Sequence, residues 1–277
     1  MTSVALVVHP ERGEAADIAA RAKRWLAAQG HGAVLVDDEA EALDMDEVDL
    51  AVSLGGDGTM LRTVALAIPR GVPVLGVNLG RLGFLTQVEP PGLEHALERF
   101  CAGDFAVEER MTLEVVVHRA PGGMPTPRAS YVALNEAVVE KTVPGHTVRL
   151  AAAIAGRPFV TYAADGLLVS TPTGSTAYNL SARGPIVSPR LWAIVVTPIS
   201  PHMLFDRTLV LEPDEWIRLD VAPPRPGVLV VDGQTISVLE PGDGVEVRAG
   251  AAPARIVSFG GRDFHAILRA RFSLADR

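Results

Sequence analysis

Lysine is almost absent from this chain of 277 residues. Lys23 and Lys141 are the only two lysines, so a Walker-type phosphate-binding loop, G-x-x-x-x-G-K-[ST], cannot be built. This absence excludes the P-loop kinases and ATPases.

Cysteine is equally scarce. Cys101 is the only one, which excludes an intramolecular disulfide and any cysteine-rich zinc site. The seven histidines show no metal-ligand spacing such as H-E-x-x-H. We therefore expect no protein cage for a metal, and any metal ion should arrive with a substrate.

Long hydrophobic runs and clustered positive charge are also missing. The only apolar run near the start, Val4 to Val8, is too short for a membrane span and lacks the basic flank of a signal peptide. The formal net charge is -8, and nucleic-acid binding normally needs a basic face. We expect a soluble, cytoplasmic protein with neither a membrane nor a nucleic acid as partner.

The most informative stretch that is present is the turn Gly55 to Thr59, which reads G-G-D-G-T. A short apolar run precedes it and a helical pattern follows, which predicts a strand, a turn and a helix. Glycine-rich backbone lets a ligand approach closely, and a helix N-terminus presents N–H groups to an anion. A carboxylate such as Asp57 repels phosphate unless it holds Mg²⁺ or takes a proton from an attacking hydroxyl, and both roles belong to phosphoryl transfer. The alternative is an ordinary turn in which Asp57 caps the helix.

The first hundred residues alternate between strand and helix patterns, which predicts a parallel sheet with right-handed crossovers. Sites in such sheets lie at the carboxyl ends of the strands. A second glycine-bearing turn, Asn78 to Phe84, follows the run Val72 to Val77, so both turns are expected at one edge. Helices are predicted over Glu14 to Gln29, after Asp57 and over Leu93 to Phe100.

After Phe100 the helical periodicity disappears, and β-branched runs separated by Gly, Pro and Asp turns predict a second, β-rich domain. One predicted strand, Val132 to Glu140, carries the polar pair Asn135 and Glu136 in an otherwise apolar run. Burying that pair without hydrogen bonds would cost a few kcal/mol, so it faces either a ligand or protein partners. An edge strand that shows Glu136 to water is the alternative.

A second dense motif runs from Asp165 to Tyr178 and places five hydroxyl residues and one aromatic ring within nine positions. Such side chains can hydrogen-bond a base or a sugar, but they can equally satisfy their own backbone at the end of a strand. The segment Asp232 to Gln234 reads first as a hairpin turn, because Asp-Gly between β-branched runs usually is one.

Together these motifs resemble the NAD kinase family. The motifs at Gly55, Asn78, Asn135, Asp165 and Thr197 occur in that family's order and rough spacing, over nearly all of the chain. Diacylglycerol and sphingosine kinases share a similar first motif, so a lipid kinase is one competing hypothesis. A dinucleotide sensor without catalytic activity is the other.

The resemblance implies an α/β plus all-β fold class, with a Rossmann-like parallel sheet followed by a β-sandwich. The expected domains are 1–108, 109–262 and a C-terminal segment 263–277 that packs back on the first domain. The implied reaction transfers the terminal phosphoryl group of ATP or polyphosphate to the adenosine ribose 2'-hydroxyl of NAD, giving NADP. Mg²⁺ carried by the donor is the implied cofactor, and a homodimer or homotetramer is the implied assembly.

The resemblance also assigns residue roles. Asp57 would be the catalytic base or a metal-linked carboxylate, with Gly58 beside the phosphates. Other residues expected at the substrates are Gly56, Thr59, Arg62, Phe84, Asn135, Glu136, Asp165, Thr173, Ser175, Thr176, Tyr178, Ser181 and Gln234. Of these, Phe84, Asn135, Ser175 and Thr176 would frame the adenine. Glu136, Asp165 and Tyr178 would contact the riboses or the remainder of the dinucleotide.

Overall fold

A computed structural model describes residues 1–9, 13–36, 47–80, 83–120, 130–260 and 263–274 of the chain. By contacts between residues the chain divides into two compact units, Met1–Glu109 with Ala252–Arg277, and Arg110–Ala251.

The strands and helices are numbered in chain order. The strands are β1 (Ser3–Val8), β2 (Gly32–Val36), β3 (Leu50–Gly55), β4 (Val74–Asn78), β5 (Ala106–Arg110), β6 (Leu113–His118), β7 (Ser130–Ala133), β8 (Glu136–Lys141), β9 (Val148–Ile154), β10 (Arg157–Ala164), β11 (Gly166–Ser170), β12 (Ile194–Ile199), β13 (Leu209–Leu211), β14 (Trp216–Val221), β15 (Gly227–Val231), β16 (Gln234–Leu239), β17 (Gly244–Ala249) and β18 (Ala254–Ser258). The helices are α1 (Gly13–Ala28), α2 (Asp57–Ala67), α3 (Leu93–Cys101), α4 (Tyr178–Ser181) and α5 (Phe264–Arg271). None of these helices is long and apolar enough to cross a membrane.

The first unit is built on one sheet with the strand order β2-β1-β3-β4-β18-β5. The pairings β1–β2, β1–β3, β3–β4 and β4–β18 are parallel, which confirms the predicted parallel sheet. Helix α1 buries Ile18, Ala22 and Leu26, whose spacing of four residues lines one face of the helix. At the carboxyl end of the sheet Gly55 lies opposite Asn78, and the Leu79 N–H donates to the Gly55 carbonyl at 3.0 Å. The two glycine-bearing turns therefore share one edge of the sheet.

The second unit is all β and contains two antiparallel sheets, which confirms the expected fold class. Their strand orders are β10-β9-β14-β17-β6-β7 and β13-β12-β11-β8-β15-β16. One buried apolar cluster takes residues from both sheets, among them Leu150 and Leu219 from the first and Leu167 and Ile194 from the second. The two sheets thus pack face to face as a sandwich around a single core.

The predicted strand Val132 to Glu140 is wrong as a single element. The strand β7 ends at Ala133 in one sheet and β8 begins at Glu136 in the other, so Leu134 and Asn135 carry the chain between the two sheets. Strands β5, β10, β13 and β18 were not predicted from the sequence. Of these, β18 lies in the sheet of the first unit, whereas the expected domain boundaries place its residues in the second domain, 109–262.

The C-terminal helix α5 belongs to the first unit by contacts. Its Phe264 ring lies 6.2 Å from the Phe84 ring, and the Arg271 guanidinium carbon lies 4.9 Å from the centre of that same ring. Phe84, which was predicted as a substrate-binding residue, is therefore half-buried between two side chains of α5.

Candidate functional site

The G-G-D-G-T turn joins β3 directly to α2. Gly56 is the N-cap of α2, in an extended conformation (φ -100°, ψ -164°), and no side chain caps the helix. The alternative in which Asp57 caps the helix is therefore wrong, because Asp57 is itself the first helical residue. The first-turn N–H groups of an α-helix have no partner inside the helix, so this end of α2 is suited to bind an anion.

The Asp57 carboxylate lies against the second glycine motif. Its Oδ1 atom is buried and has no hydrogen-bond partner among the described residues. A Cβ atom on Gly83 would collide with this oxygen, and it would lie 3.2 Å from Asp57 Cγ and 3.0 Å from Thr86 Oγ1. The absence of a side chain at Gly83 therefore makes room for the carboxylate, and the two motifs meet at this point.

The remaining predicted residues of the first unit occupy different environments. Thr59 is buried, and its side chain fills the space that a Cβ on Gly55 would take. Arg62 follows Gly58 by four residues, which places both on one side of α2. Asn78 shapes the second turn, because its Oδ1 accepts from the Gly80 N–H at 3.2 Å and its Nδ2 donates to Glu89 at 3.1 Å. Residues 81 and 82 of this motif lie outside the described residues.

In the second unit, Asn135 and Glu136 are buried where the chain passes from β7 to β8. The Asn135 carbonyl accepts from the Thr171 N–H at 2.9 Å and from Ser170 Oγ at 3.1 Å. The neighbouring Leu134 carbonyl accepts from Thr171 Oγ1 at 2.6 Å. The end of β11 thus holds this segment from one side, and the alternative of an edge strand that exposes Glu136 to water is wrong.

The Glu136 carboxyl is only 7% exposed, and its Oε2 atom has no partner within the described part of the chain. Burial raises the pKa of Glu136 to about 8 and the charge of Asp232 adds to this rise, whereas a hydrogen bond from the Tyr178 N–H lowers it. Burial also raises the pKa of Asp232. At neutral pH Glu136 is therefore mostly protonated, and it can donate a hydrogen bond as well as accept one.

Most hydroxyls of the predicted Ser/Thr motif are used inside the protein. Ser175 Oγ donates to the Val187 carbonyl at 3.1 Å and accepts from its N–H at 3.0 Å, and the side chain is fully buried. Thr176 Oγ1 donates to the Thr173 carbonyl at 3.4 Å. Thr173 is the exception, since its buried Oγ1 has no partner among the residues that the structure describes.

The other predicted residues of this unit lie nearer the surface. Asp165 forms an ion pair of 2.8 Å with Lys141. Tyr178 is 38% exposed, and burial of its hydroxyl followed by the charges of Glu140, Asp165 and Glu136 raises its pKa. Ser181 at the end of α4 and Gln234 at the start of β16 are exposed.

Two residues that are not among the predicted site residues organise this cluster. Asp232 lies in the predicted hairpin turn, and its carboxylate accepts the N–H groups of Leu134, Asn135 and Glu136. Asn179 is fully buried, and its Nδ2 donates to the carbonyls of Ser175 and Pro185 while its Oδ1 accepts from Thr197 Oγ1. The Asp-Gly signal pointed only to a turn, and Asn179 carried no local signal, because its partners are set by the fold.

Nowhere in the described ranges do three or more His, Cys, Asp or Glu side chains come together as a group that could hold a metal ion. Among the described residues, Asp57 Oδ1 is a buried carboxylate oxygen without a hydrogen-bond partner, and it lies beside a helix end suited to an anion.

Comparisons with known proteins agree on one family. A family model described as the ATP-NAD kinase N-terminal domain matches residues 36–105, and one described as the ATP-NAD kinase C-terminal domain matches residues 134–259. The NAD kinase of Heliobacterium modesticaldum is 45% identical over 280 residues, covering 97% of this chain and 98% of that protein.

Two solved structures resemble the whole chain. An NAD kinase from Archaeoglobus fulgidus in complex with ATP has a TM-score of 0.76 and 26% identity, covering 99% of this chain and 98% of that one. Yeast NADH kinase complexed with NADH has a TM-score of 0.89 over 100% of this chain and 89% of that one, and at 24% identity it shows the fold alone. The chain belongs to the NAD kinase family, whose members phosphorylate NAD.

Proposed function

We propose that this chain transfers the terminal phosphoryl group of ATP to the adenosine ribose 2'-hydroxyl of NAD, giving NADP, with Asp57 as the catalytic base. The observation that carries the assignment of Asp57 is its carboxylate at the uncapped N-terminus of α2, with one buried oxygen that has no partner in the described residues. The helix end receives the negatively charged donor, and the carboxylate receives a proton from the attacking hydroxyl.

The first unit supplies the groups for the phosphates. The N–H groups at the start of α2 bind the donor phosphates, and Gly56 and Gly58 let the phosphates approach the backbone because they lack side chains. The Thr59 side chain packs under the turn at Gly55, and Arg62 adds positive charge on the same helix. A secondary hydroxyl is a poor nucleophile, so removal of its proton by Asp57 contributes about 10²- to 10⁴-fold to the rate.

Mg²⁺ fits this arrangement as a companion of ATP rather than as a resident ion. Asp57 is a single carboxylate, and hard divalent cations bind through one or two carboxylates plus the phosphates of a nucleotide. When bound, the ion would supply positive charge that neutralises the charge developing on the phosphoryl group. Asp57 would be the residue that holds the ion.

The second unit supplies the groups for the dinucleotide. Asn135 and the backbone of residues 173–176 frame the adenine. The Thr173 hydroxyl has no partner among the described residues, so it can hydrogen-bond the ligand. The hydroxyls of Ser175 and Thr176 already bond to protein carbonyls, so these two residues act through their backbone.

Protonated Glu136, together with Tyr178 and Asp165, contacts the riboses or the remainder of NAD. Ser181 and Gln234 complete the rim of this surface from α4 and β16.

Substitution of Asp57 tests the proposal. Asp57→Asn keeps the size of the side chain but removes the base, so we expect kcat to fall by at least about 10²-fold with the melting temperature nearly unchanged. Asp104→Asn is the matched control, because Asp104 is an exposed carboxylate of the same unit that pairs with Arg99. An Asp57→Asn enzyme with the kcat of the wild type would remove Asp57 from the chemistry.

A matrix of donors and acceptors tests the reaction itself. Purified protein is incubated with ATP or polyphosphate against NAD, NADH or diacylglycerol, and the product is separated by chromatography. NADP from ATP and NAD is the expected product. Phosphorylated lipid would instead identify a lipid kinase, and binding of NAD by calorimetry without any product would identify a silent sensor.

The assembly and the location that the family resemblance implied are proposals of the same kind. We propose a cytoplasmic homodimer or homotetramer that binds small-molecule nucleotides. Light scattering coupled to size-exclusion chromatography measures the mass of the assembly, and fractionation of the source cells locates the enzyme.

A further inference from the structure

The turn between β15 and β16 is bound to the segment Leu134–Glu136 by an unusual set of hydrogen bonds. The Asp232 carboxylate accepts the N–H groups of Leu134 at 2.7 Å, Asn135 at 2.8 Å and Glu136 at 3.0 Å. The Asp232 N–H in turn donates to the Glu136 carbonyl at 3.0 Å. Asp232 therefore makes four hydrogen bonds to three consecutive residues at the connection between β7 and β8.

These hydrogen bonds satisfy backbone N–H groups that strand pairing does not satisfy. The segment crosses from β7 in one sheet to β8 in the other, so the backbone N–H groups at the crossing cannot all find strand partners. Asp232 itself adopts a left-handed conformation (φ 46°) in this turn, which Asp tolerates better than most residues. A carboxylate that accepts three N–H bonds fixes both the position and the rotation of the peptide groups it binds.

We propose that Asp232 is a positioning residue for NAD, one that holds Asn135 and Glu136 in the orientation in which they contact the dinucleotide. This inference rests on the proposed function of Asn135 and Glu136. It predicts an effect that a purely structural residue would not have, because the Asp232 carboxylate also acts electrostatically on the Glu136 carboxyl.

The groups around Glu136 define that electrostatic effect. The Asp232 carboxylate raises the pKa of Glu136, and the Tyr178 N–H lowers it. Glu140 and Asp165 act on the Tyr178 hydroxyl, and the Asp165 charge is partly balanced by Lys141. Removing the Asp232 charge should therefore lower the pKa of Glu136, so that Glu136 loses its donated proton at a lower pH.

The experiment measures kcat and the KM values for NAD and ATP between pH 6 and pH 9.5 for wild type and Asp232→Asn. An amide cannot accept all three N–H groups, so we expect KM for NAD to rise about ten- to a hundredfold, with KM for ATP within about twofold. In the wild type, KM for NAD should increase at the pH at which Glu136 loses its proton. In Asp232→Asn this increase should begin at a lower pH. Asp232→Glu keeps the charge, and it should raise KM for NAD without moving this pH.

Asp243→Asn is the matched control. Asp243 is a buried carboxylate of the same unit that accepts the N–H groups of Ala120 and Glu240 and pairs with Arg119, so its loss also removes backbone hydrogen bonds. We expect this variant to lower the melting temperature while KM for NAD stays within about twofold of wild type.

The outcomes separate this inference from the proposed function. A wild-type protein that forms no NADP overturns the proposed function, and this inference with it. An active wild type whose Asp232→Asn variant keeps the KM for NAD and the pH profile overturns the positioning role of Asp232 alone. If Asp232→Asn does not fold, Asp232→Glu decides, because an unchanged KM for NAD in that variant contradicts the inference.

Discussion

Replacing Gly83 by alanine should damage catalysis much more than folding. A Cβ at this position would collide with Asp57 Oδ1 and would approach Asp57 Cγ to 3.2 Å and Thr86 Oγ1 to 3.0 Å. All three atoms belong to side chains rather than to backbone. Asp57 is only half-buried, so it can rotate away without displacing the sheet.

The magnitudes follow from this geometry. Rotation of a side chain away from its preferred conformer costs about 0.5–1.5 kcal/mol. The loss of backbone freedom in the unfolded chain when Gly becomes Ala offsets about 0.4–1 kcal/mol of that cost. The free energy of unfolding should therefore change by less than about 1 kcal/mol. A shift of the base by about 1 Å lowers the rate by about 10²-fold.

The assay pairs steady-state kinetics with urea denaturation. Gly92→Ala is the matched control, because among the described residues a Cβ there would meet Val88 Cγ1 alone, at an ordinary 3.6 Å, and we expect neither kcat nor stability to change appreciably. A Gly83→Ala enzyme with the kcat of wild type would refute the reasoning, since Asp57 would then tolerate displacement and could not be the base. A variant that unfolds would instead show that the Asp57 side chain cannot rotate.

Three further predictions concern other positions. A Cβ on Gly58 would meet no atom of the described residues within 4 Å, so the melting temperature of Gly58→Ala should not fall. The methyl group would instead meet the donor phosphates and raise KM for ATP about tenfold, equal to roughly 1.4 kcal/mol. Gly174→Ala would push against the Asn135 backbone carbonyl, so urea denaturation should show a loss of about 1–3 kcal/mol, with a raised KM for NAD. The pKa of Glu136 is raised to about 8 from an ordinary 4.5, so between these pH values the folded state holds a proton that the unfolded state releases. The free energy of unfolding should therefore fall by a few kcal/mol from pH 4.5 to pH 8. Denaturation of Glu136→Gln across this range should show a much smaller slope.

The parallel sheet of the first unit could be predicted because its signals are local. Apolar runs of strand length, a helical stripe containing Ile18 and Leu26, and glycines at turns each report on residues close in sequence. The shared edge of the Gly55 and Asn78 turns then follows from the rule that sites lie beyond the carboxyl ends of parallel strands. The contact between Asp57 and Gly83 could not be predicted in this way, because it depends on the path of the chain after β4.

The second unit was less predictable because its decisive contacts join distant segments. The predicted strand Val132 to Glu140 followed from a run that is apolar apart from Asn135, Glu136 and Glu140, yet the chain changes sheets within it at Leu134 and Asn135. The pattern could not reveal the change, since both halves contribute to the same sandwich core, Ala133 from β7 and Ala137 and Val139 from β8. Likewise the composition of the Ser/Thr motif did not show that Thr173 differs from Ser175. Only the fold brings Val187 to the Ser175 hydroxyl and leaves Thr173 Oγ1 without a partner among the described residues.

Asp232 shows why positioning residues are harder to find than catalytic ones. An Asp-Gly pair between β-branched runs already has a sufficient local explanation as a hairpin turn, and the structure confirms that turn between β15 and β16. Its second role arises only because β15 pairs with β8 in a register that sets Val231 opposite Ala137. That register brings the Asp232 carboxylate to N–H groups that precede it by 96 to 98 residues. A shift of one residue would turn alternate side chains to the other face and remove the carboxylate from these groups. The orientation of Asn135 and Glu136 is therefore encoded in the strand pairing of the whole sheet, and not in the motif that contains them.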